Sequence, residues 1–309
     1  MKDRNIVVLM GGPSSEAEVS RRTGGAILKA LLEKGYKASG LELDPPNLIS
    51  QLREKNCELV FNAVHGKFGE DGALQGMLDM IDMPYTGSGL LASAVTMDKV
   101  VSKRIFEAVG ISTPHSRSYR REDLSRDLAV EIAAEFSVPV VIKAASQGSS
   151  IGVVIVERQQ DIRPALESAF AYSEDVLVEE FIRGRELTVA VWGTVPRAAF
   201  PVIEIVPHSG RYDYESKYTK GAADHIVPAQ LDEAVSAAVQ DLAVKTFDAV
   251  GCSGVARVDI MLGQDNTPYV LEVNSVPGMT ETSLVPDAAR AMGIEFPELC
   301  ERILQMVHI

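Results

Sequence analysis

Short apolar runs alternate with helically spaced stretches over the first hundred residues. Ile6 to Met10 reads as a buried strand, followed by Gly11-Gly12-Pro13 and a helix. Ser15 and Glu18 fit a capping box, with Ser15 at the N-cap and Glu18 at N3. A second strand lies near Lys37 to Leu43 and a third at Glu58 to Val64, then His65-Gly66 and a helix from about Asp71. This order predicts a small parallel α/β unit whose ligand-facing loops sit at the carboxyl ends of its strands.

The pattern changes between Lys99 and Glu186. A helix near Asp98 to Val109 leads through Pro114 to another around Leu124 to Phe136. Val140-Val-Ile-Lys143 and Gly152-Val-Val-Ile-Val156 read as strands flanking a Gly/Ser loop, and a helix over 160–172 and strands 175–182 and 186–192 follow. The last third holds an extended stretch 198–206, a polar segment 207–226, a helix 231–250, a hairpin and a C-terminal helix. A structureless loop as long as 207–226 is usually functional or disordered, and Tyr212, Tyr214 and Tyr218 favour function.

Strict alternation is clearest in the hairpin. Val258, Ile260 and Leu262 face one way, Arg257 and Asp259 the other; in the second arm Leu271 and Val273 alternate with Glu272 and Asn274. Gly263-Gln-Asp-Asn-Thr-Pro268 is turn chemistry. A symmetric turn sets Leu262 opposite Tyr269, and hence Asp259 opposite Glu272. Two carboxylates paired across a sheet repel each other. A divalent cation between them reverses the sign, and hard oxygen donors suit Mg2+. Asn274 adds a neutral oxygen and Arg257 a positive charge, the outline of a metal–polyphosphate site. Ordinary surface charges on a solvent-facing strand pair are the plainer alternative.

Composition narrows the classes. The 309 residues are enough for two or three domains, and 46% are apolar, as in ordinary globular proteins. A formal charge of −13 argues against a nucleic-acid partner. In so acidic a chain, cations that meet phosphate must be gathered locally, which makes single Lys and Arg positions informative. Cys57, Cys252 and Cys300 form no C-x-x-C pair, and the five histidines are too scattered for a His-based metallohydrolase. The first residues lack a signal-peptide pattern and no apolar run approaches membrane-spanning length, so a cytoplasmic protein without a membrane partner is expected.

Other motifs have two readings. Gln147-Gly148-Ser149-Ser150 with Gly152 can fold backbone N–H groups over phosphates; it is neither a Walker A loop nor a Rossmann fingerprint, and such a hairpin is more often only a hairpin. Lys143, ending the preceding apolar strand, shifts the balance toward phosphate. Val178-Glu179-Glu180-Phe181-Ile182 and Glu186 suit an edge strand, or a backbone that pairs with an adenine edge while Glu186 meets the ribose. Glu16 suits a helix N-terminus, or a carboxylate that receives a substrate ammonium. His65 suits a satisfied core histidine, or a substrate contact.

Taken in order, Gly11-Gly-x-Ser14-x-Glu16-x-Glu18-Val-Ser20, His65-Gly-x-x-Gly69-Glu-Asp-Gly72, Tyr85-Thr-Gly-Ser88 and Met97-Asp-Lys99 resemble the D-alanine–D-alanine ligase family. So do Gln147-Gly-Ser-Ser150-x-Gly152, Tyr212-x-Tyr214-x-x-Lys217-Tyr218 and Glu272-x-Asn274-x-x-Pro277-Gly278-Met279-Thr. The resemblance runs from residue 6 to about 300 and implies an α/β (α+β) ATP-grasp fold with ATP held between two sheets. Its three implied domains span 1–98, 99–187 and 188–309, with 207–226 as a lid.

By resemblance, Lys99, Lys143, Ser149 and Ser150 contact phosphate, Glu179, Glu180 and Ile182 the adenine, and Glu186 the ribose. Asp259, Glu272 and Asn274 resemble ligands of two Mg2+ ions, with Mn2+ as a substitute. Glu16, supported by Ser150 and Tyr218, resembles the set that binds the first D-alanine's ammonium, and His65 a further substrate contact. Lys217 and Ser283 resemble contacts to the second D-alanine's carboxylate; Arg257 and the Gly278 N–H resemble the oxyanion site. Phe68 departs from the pattern, which has a small or basic residue there. The implied activity is ATP-dependent synthesis of D-alanyl-D-alanine for peptidoglycan through an acyl phosphate, by a homodimer. Tyr218 matches the dipeptide-forming members; D-lactate or D-serine as acceptor is the alternative. A two-metal phosphohydrolase and an inactive nucleotide-binding regulator fit less well, because the flap, the lid and chemically competent residues are all present.

Overall fold

The computed structural model describes residues 1–125, 127–148, 151–208, 222–280 and 283–307. Strand β1 (Ile6–Met10) is followed by α1 (Ala17–Glu33), β2 (Ala38–Glu42), α2 (Leu48–Glu54) and β3 (Leu59–Asn62), and the strands pair in parallel in the order β2-β1-β3. Ile6 and Val8 pack with Ile27 and Leu31 of α1, whereas Val7 and Leu9 pack with Leu48, Leu52 and Val60. Burial on both faces is why β1 reads as an unbroken apolar run.

The capping box is not formed. Glu16 is the N-cap of α1 without a side-chain capping bond, and Glu18 instead pairs with Arg21. With the cap at Glu16, N3 is Val19, which carries no acceptor. Ser14 braces the entry to the helix in its place, since its Oγ accepts from the Glu16 N–H at 3.2 Å and donates to the His65 carbonyl at 2.9 Å. Helices α3 (Ala73–Met80), α4 (Leu90–Met97) and α5 (Lys99–Ala108) lead out of this unit. Asp98 caps α5, accepting from Val100 N and Val101 N, so Lys99 stands at the first helical position.

The central part contains β4 (Ser116–Arg120), α6 (Leu128–Glu135), β5 (Val140–Ala144), β6 (Val153–Val156), α7 (Ile162–Phe170) and β7 (Asp175–Glu180). Its strands form an antiparallel sheet in the order β4-β7-β5-β6. Helices α6 and α7 cover one face, packing Ile132, Leu166 and Phe170 on Val140, Ile142, Val176 and Val178. The pleat turns Val141, Lys143 and Glu179 to the opposite face. Strand β4 was not expected from its sequence, because at this sheet edge only Tyr119 is buried.

The last part holds β8 (Gly184–Trp192), β9 (Ala198–Ala199), β10 (Ile203–Pro207), β11 (Ala223–Ile226), α8 (Glu233–Ala249), β12 (Val255–Gly263), β13 (Pro268–Asn274), α9 (Leu284–Ala291) and α10 (Phe296–Gln305). The sheet order is β11-β10-β8-β12-β13, with β9 beside β8. Helix α8 covers one face through Val239, Ala243 and Phe247. Ala190, Trp192, Ile203 and Ile205 instead join Ile6, Val8, Ile27 and Leu31, and Leu284, Val285, Leu299 and Ile303 of α9 and α10 complete that core. The first and last parts therefore share one hydrophobic core, while the central sheet has its own. Lys34, at the end of α1, pairs with Glu298 and Glu301 of α10 and reinforces the shared boundary.

In the β12–β13 hairpin Asp259 does stand opposite Glu272, but by a different register from the symmetric one. Leu262 faces Pro268 and Met261 faces Tyr269; a bulge between Asp259 and Ile260 then takes up one residue of β13. The bulged residue is Leu271. Val270 and Val273, not Leu271 and Val273, face the core, and Leu271 lines a cleft.

Candidate active site

Two cavities meet between the three parts. A cleft of about 1090 Å³ lies between the exposed face of the central sheet and the C-terminal sheet, lined by Lys143, Glu179, Glu180, Ile182, Glu186 and Asp259 among others. A smaller cavity of about 160 Å³ lies under the N-terminal loops, with Glu16, His65, Arg257, Asn274, Gly278 and Ser283 in its wall. Lys99, Gln147 and Glu272 border both, so one end of a long ligand in the cleft reaches a small ligand in the neighbouring cavity.

The carboxylates at this junction are set by sheet register. Thr188, Asp259 and Glu272 occupy one row across β8, β12 and β13. Thr188 Oγ1 donates to Asp259 Oδ1 at 2.6 Å, and Arg257 grips both oxygens of Asp259 at 2.8 and 2.7 Å. Glu272 Oε2 lies 3.1 Å from Lys99 Nζ, which also donates to the Gln147 carbonyl at 2.7 Å. Asn274 Oδ1 accepts from Val276 N. Two side-chain cations thus neutralise the acidic pair. Among the described residues no three His, Cys, Asp or Glu side chains converge as a metal cage. The donor set still fits Mg2+, which takes one or two protein carboxylates and completes its shell with water and substrate phosphate oxygens.

Lys143 and Glu179 face the cleft from neighbouring strands. Val141 pairs with Glu179 and Lys143 with Leu177, which makes Lys143 and Glu179 diagonal neighbours on one face. Lys143 Nζ is 2.5 Å from Glu179 Oε2, and Lys103 Nζ of α5 is 2.9 Å from Glu179 Oε1. Burial opposes the Glu179 charge, but Lys143 and Lys103 outweigh it and hold the carboxyl below its ordinary range. Glu180 Oε1 accepts from His115 N at 2.8 Å. The loop after Lys143 joins antiparallel strands β5 and β6, as its sequence suggested.

In the small cavity Glu16 is buried, and glycines leave room for it. A Cβ on Gly66, at φ +71°, would meet Glu16 Oε2 at 2.8 Å, and one on Gly148 would meet it at 2.9 Å. His65 is buried with Nε2 3.0 Å from Thr23 Oγ1; burial above all lowers its pKa, against the pull of Glu16, so the ring is neutral at neutral pH. Ser283 Oγ accepts from Thr280 N at 3.0 Å. Phe68 adopts φ +71° and packs with the N-terminal core around Leu74 and Leu78, a local structural use for the departing residue.

Ser149, Ser150, Lys217 and Tyr218, and most of 207–226, lie outside the described residues. Four residues beside the site were not singled out from sequence. Thr188 and Leu271 needed the register. Lys103 lies one helical turn after Lys99, a spacing that could have marked it. Glu70 stood inside the His65 motif; burial foremost, then the charge of Glu16, pushes its carboxyl up to about 8, although it accepts from Gly66 N.

Two sheets gripping a lysine- and carboxylate-lined cleft, with a third unit closing a small pocket at one end, define the ATP-grasp class. Residues 105–305 match the model of the D-ala D-ala ligase C-terminus and 44–88 that of the N-terminus. The chain is 45% identical over 305 residues to the D-alanine–D-alanine ligase of Pelotomaculum thermopropionicum, covering 97% of this chain and 96% of that one. It is 47% identical to that of Desulforudis audaxviator, covering 98% of each. Among solved structures, the Bacillus anthracis D-alanine–D-alanine ligase complexed with ATP superposes with a TM-score of 0.84 at 32% identity, over 98% of this chain and 97% of that one. A D-Ala:D-Ser ligase from Enterococcus faecalis gives 0.85 at 28%, over 98% and 99%. The chain belongs to the D-alanine–D-alanine ligase family.

Proposed function

We propose that this protein joins two D-alanine molecules into D-alanyl-D-alanine, converting ATP to ADP and phosphate, for peptidoglycan synthesis. The observation that supports this most is the junction of a long cleft and a small cavity at Lys99 and Glu272. That arrangement suits phosphoryl transfer from a nucleotide to a small carboxylate. In this reading Glu179, Glu180 and Ile182 border the adenine, Glu186 the ribose, and Lys99, Lys143, Ser149 and Ser150 the phosphates.

The first D-alanine is held by its ammonium on Glu16, with Ser150 and Tyr218 in support. Its carboxylate oxygen attacks the γ-phosphorus as the bond to ADP breaks, giving an acyl phosphate; Lys99 and Lys143 offset the charge that would repel this nucleophile. The second D-alanine, its carboxylate on Lys217 and Ser283, attacks the acyl carbon through its amine. Arg257 and the Gly278 N–H stabilise the oxyanion before phosphate leaves, and neutral His65 borders the same substrates. Asp259, Glu272 and Asn274 would hold two Mg2+ ions, or Mn2+, which supply charge neutralisation at the phosphates when bound. Segment 207–226 is not structureless throughout, since Pro207 ends β10 and Ala223–Ile226 form β11 paired with it. The stretch between these two strands is the part we assign as a lid that keeps water from the acyl phosphate.

We assign the domains as 1–98, a central unit and a C-terminal unit. The second break falls at 181–183 rather than 187/188, because β8 is one strand from Gly184. A homodimer in the cytoplasm is part of the same proposal. Among the described residues no helix is long and apolar enough to cross a membrane.

The test is phosphate release from Mg·ATP with D-alanine, with L-alanine and with no amino acid, the product identified by mass. Release only with D-alanine, with a dipeptide mass, is the expected result; release without amino acid refutes the ligase reading. D-lactate or D-serine as acceptor is separated by product mass, and D-lactate also by its pH dependence, since an amine must be deprotonated and a hydroxyl need not be.

A further inference from the structure

One carboxylate in the cleft wall has two lysines. Glu179 is 1% exposed, with Lys143 Nζ 2.5 Å from one oxygen and Lys103 Nζ 2.9 Å from the other. The trio carries a net positive charge, so either lysine alone would balance the acid. The two are not equivalent in position. Lys143 borders the cleft, whereas Lys103 is 3% exposed on α5 behind it and also donates to the Pro114 carbonyl at 3.3 Å. Lys103 follows Lys99 by four residues, so one face of α5 sends a cation to Glu272 of the C-terminal sheet and another to Glu179 of the central sheet.

We propose that Lys103 is a positioning residue for nucleotide phosphate: it keeps Glu179 neutralised, so that Lys143 can turn from that carboxylate to the phosphate chain. The inference rests on the reading of the cleft as an ATP site. Were Lys143 the sole partner of Glu179, its move to phosphate would strand a buried carboxylate, which is strongly disfavoured. With Lys103 in place, Glu179 remains paired throughout. Lys143 is then poised beside the cleft, held by a partner it can leave.

The test is the ratio of Mg·ADP affinity to adenosine affinity, adenosine being measured by competition. This ratio reads the phosphate contribution, which a general loosening of the fold or of the adenine site would not selectively change. Wild-type protein that fails to bind Mg·ADP overturns the ATP reading and this proposal with it. Given wild-type binding, Lys103→Met should lower the ratio by about tenfold or more. Lys103→Arg should stay within about threefold of wild type because it keeps the charge. In a Glu179→Gln background the same Lys103→Met change should leave the ratio unaltered, since no carboxylate remains to be stranded. That comparison decides the matter if the single Lys103→Met variant does not fold. An unchanged ratio in folded Lys103→Met, or an equal fall in the Glu179→Gln background, overturns the proposal.

Discussion

Glu70→Gln should remove most of a pH dependence of stability that this one carboxyl creates. Glu70 is buried in the small cavity, its pKa pushed up to about 8 from an ordinary 4.5, first by burial and then by the charge of Glu16. Below pH 4.5 the group is protonated in both folded and unfolded chains, and its contribution is fully present. As the pH rises toward 8 the unfolded chain releases this proton and the folded one holds it, so stability falls with rising pH. Integrating that difference between about pH 5 and pH 8 gives a loss on the order of 3–4 kcal/mol. Glutamine keeps the size and the acceptor for Gly66 N but cannot ionise. Urea unfolding of wild type and Glu70→Gln across this range should show the gap between them shifting in favour of the variant as the pH rises. Parallel profiles for the two proteins would refute the assignment.

Arg257→Ala should lower kcat by roughly 10²–10³ with a smaller effect on KM for ATP, if Arg257 meets the oxyanion; steady-state kinetics check it, and near-normal turnover is the contrary result. Glu272→Gln should abolish most activity and weaken metal-dependent nucleotide binding. Titrating Mg·ADP and metal-free ADP separates the two effects, and equal losses in both would exclude a metal-ligand role. Thr188→Val removes the 2.6 Å bond to Asp259 and should destabilise by about 1 kcal/mol in thermal unfolding, with no change expected if that bond is dispensable. ATP with D-alanine should protect Arg211, Lys217 and Lys220 from trypsin; equal cleavage with and without ligands would sink the lid.

The strands with apolar faces were legible because burial writes itself into their pattern. Strands β4 and β11 were not: Ser116–Arg120 and Ala223–Ile226 lie at sheet edges, where pairing owes more to backbone than to side chains. The pairing of Asp259 with Glu272 was found through a register that is wrong at the turn. The bulge at Leu271 restored it, and a bulge has no reliable signature in one sequence. Lys143 was legible as an odd charge in an apolar strand. Glu179, Lys103 and Glu70 take their character from neighbours distant in sequence, as Lys103 of α5 does from Glu179 of β7, and only the fold brings these together.

The core shared by the first and last parts bears on how the chain is made. Ile6, Val8, Ile27 and Leu31 leave a ribosome well before the partners that finish their core, Leu284, Val285, Leu299 and Ile303. Folding of the first part during synthesis therefore cannot complete this core until the last part is made. The central sheet, whose core is local, can settle while the start of the chain still waits with one apolar face uncovered.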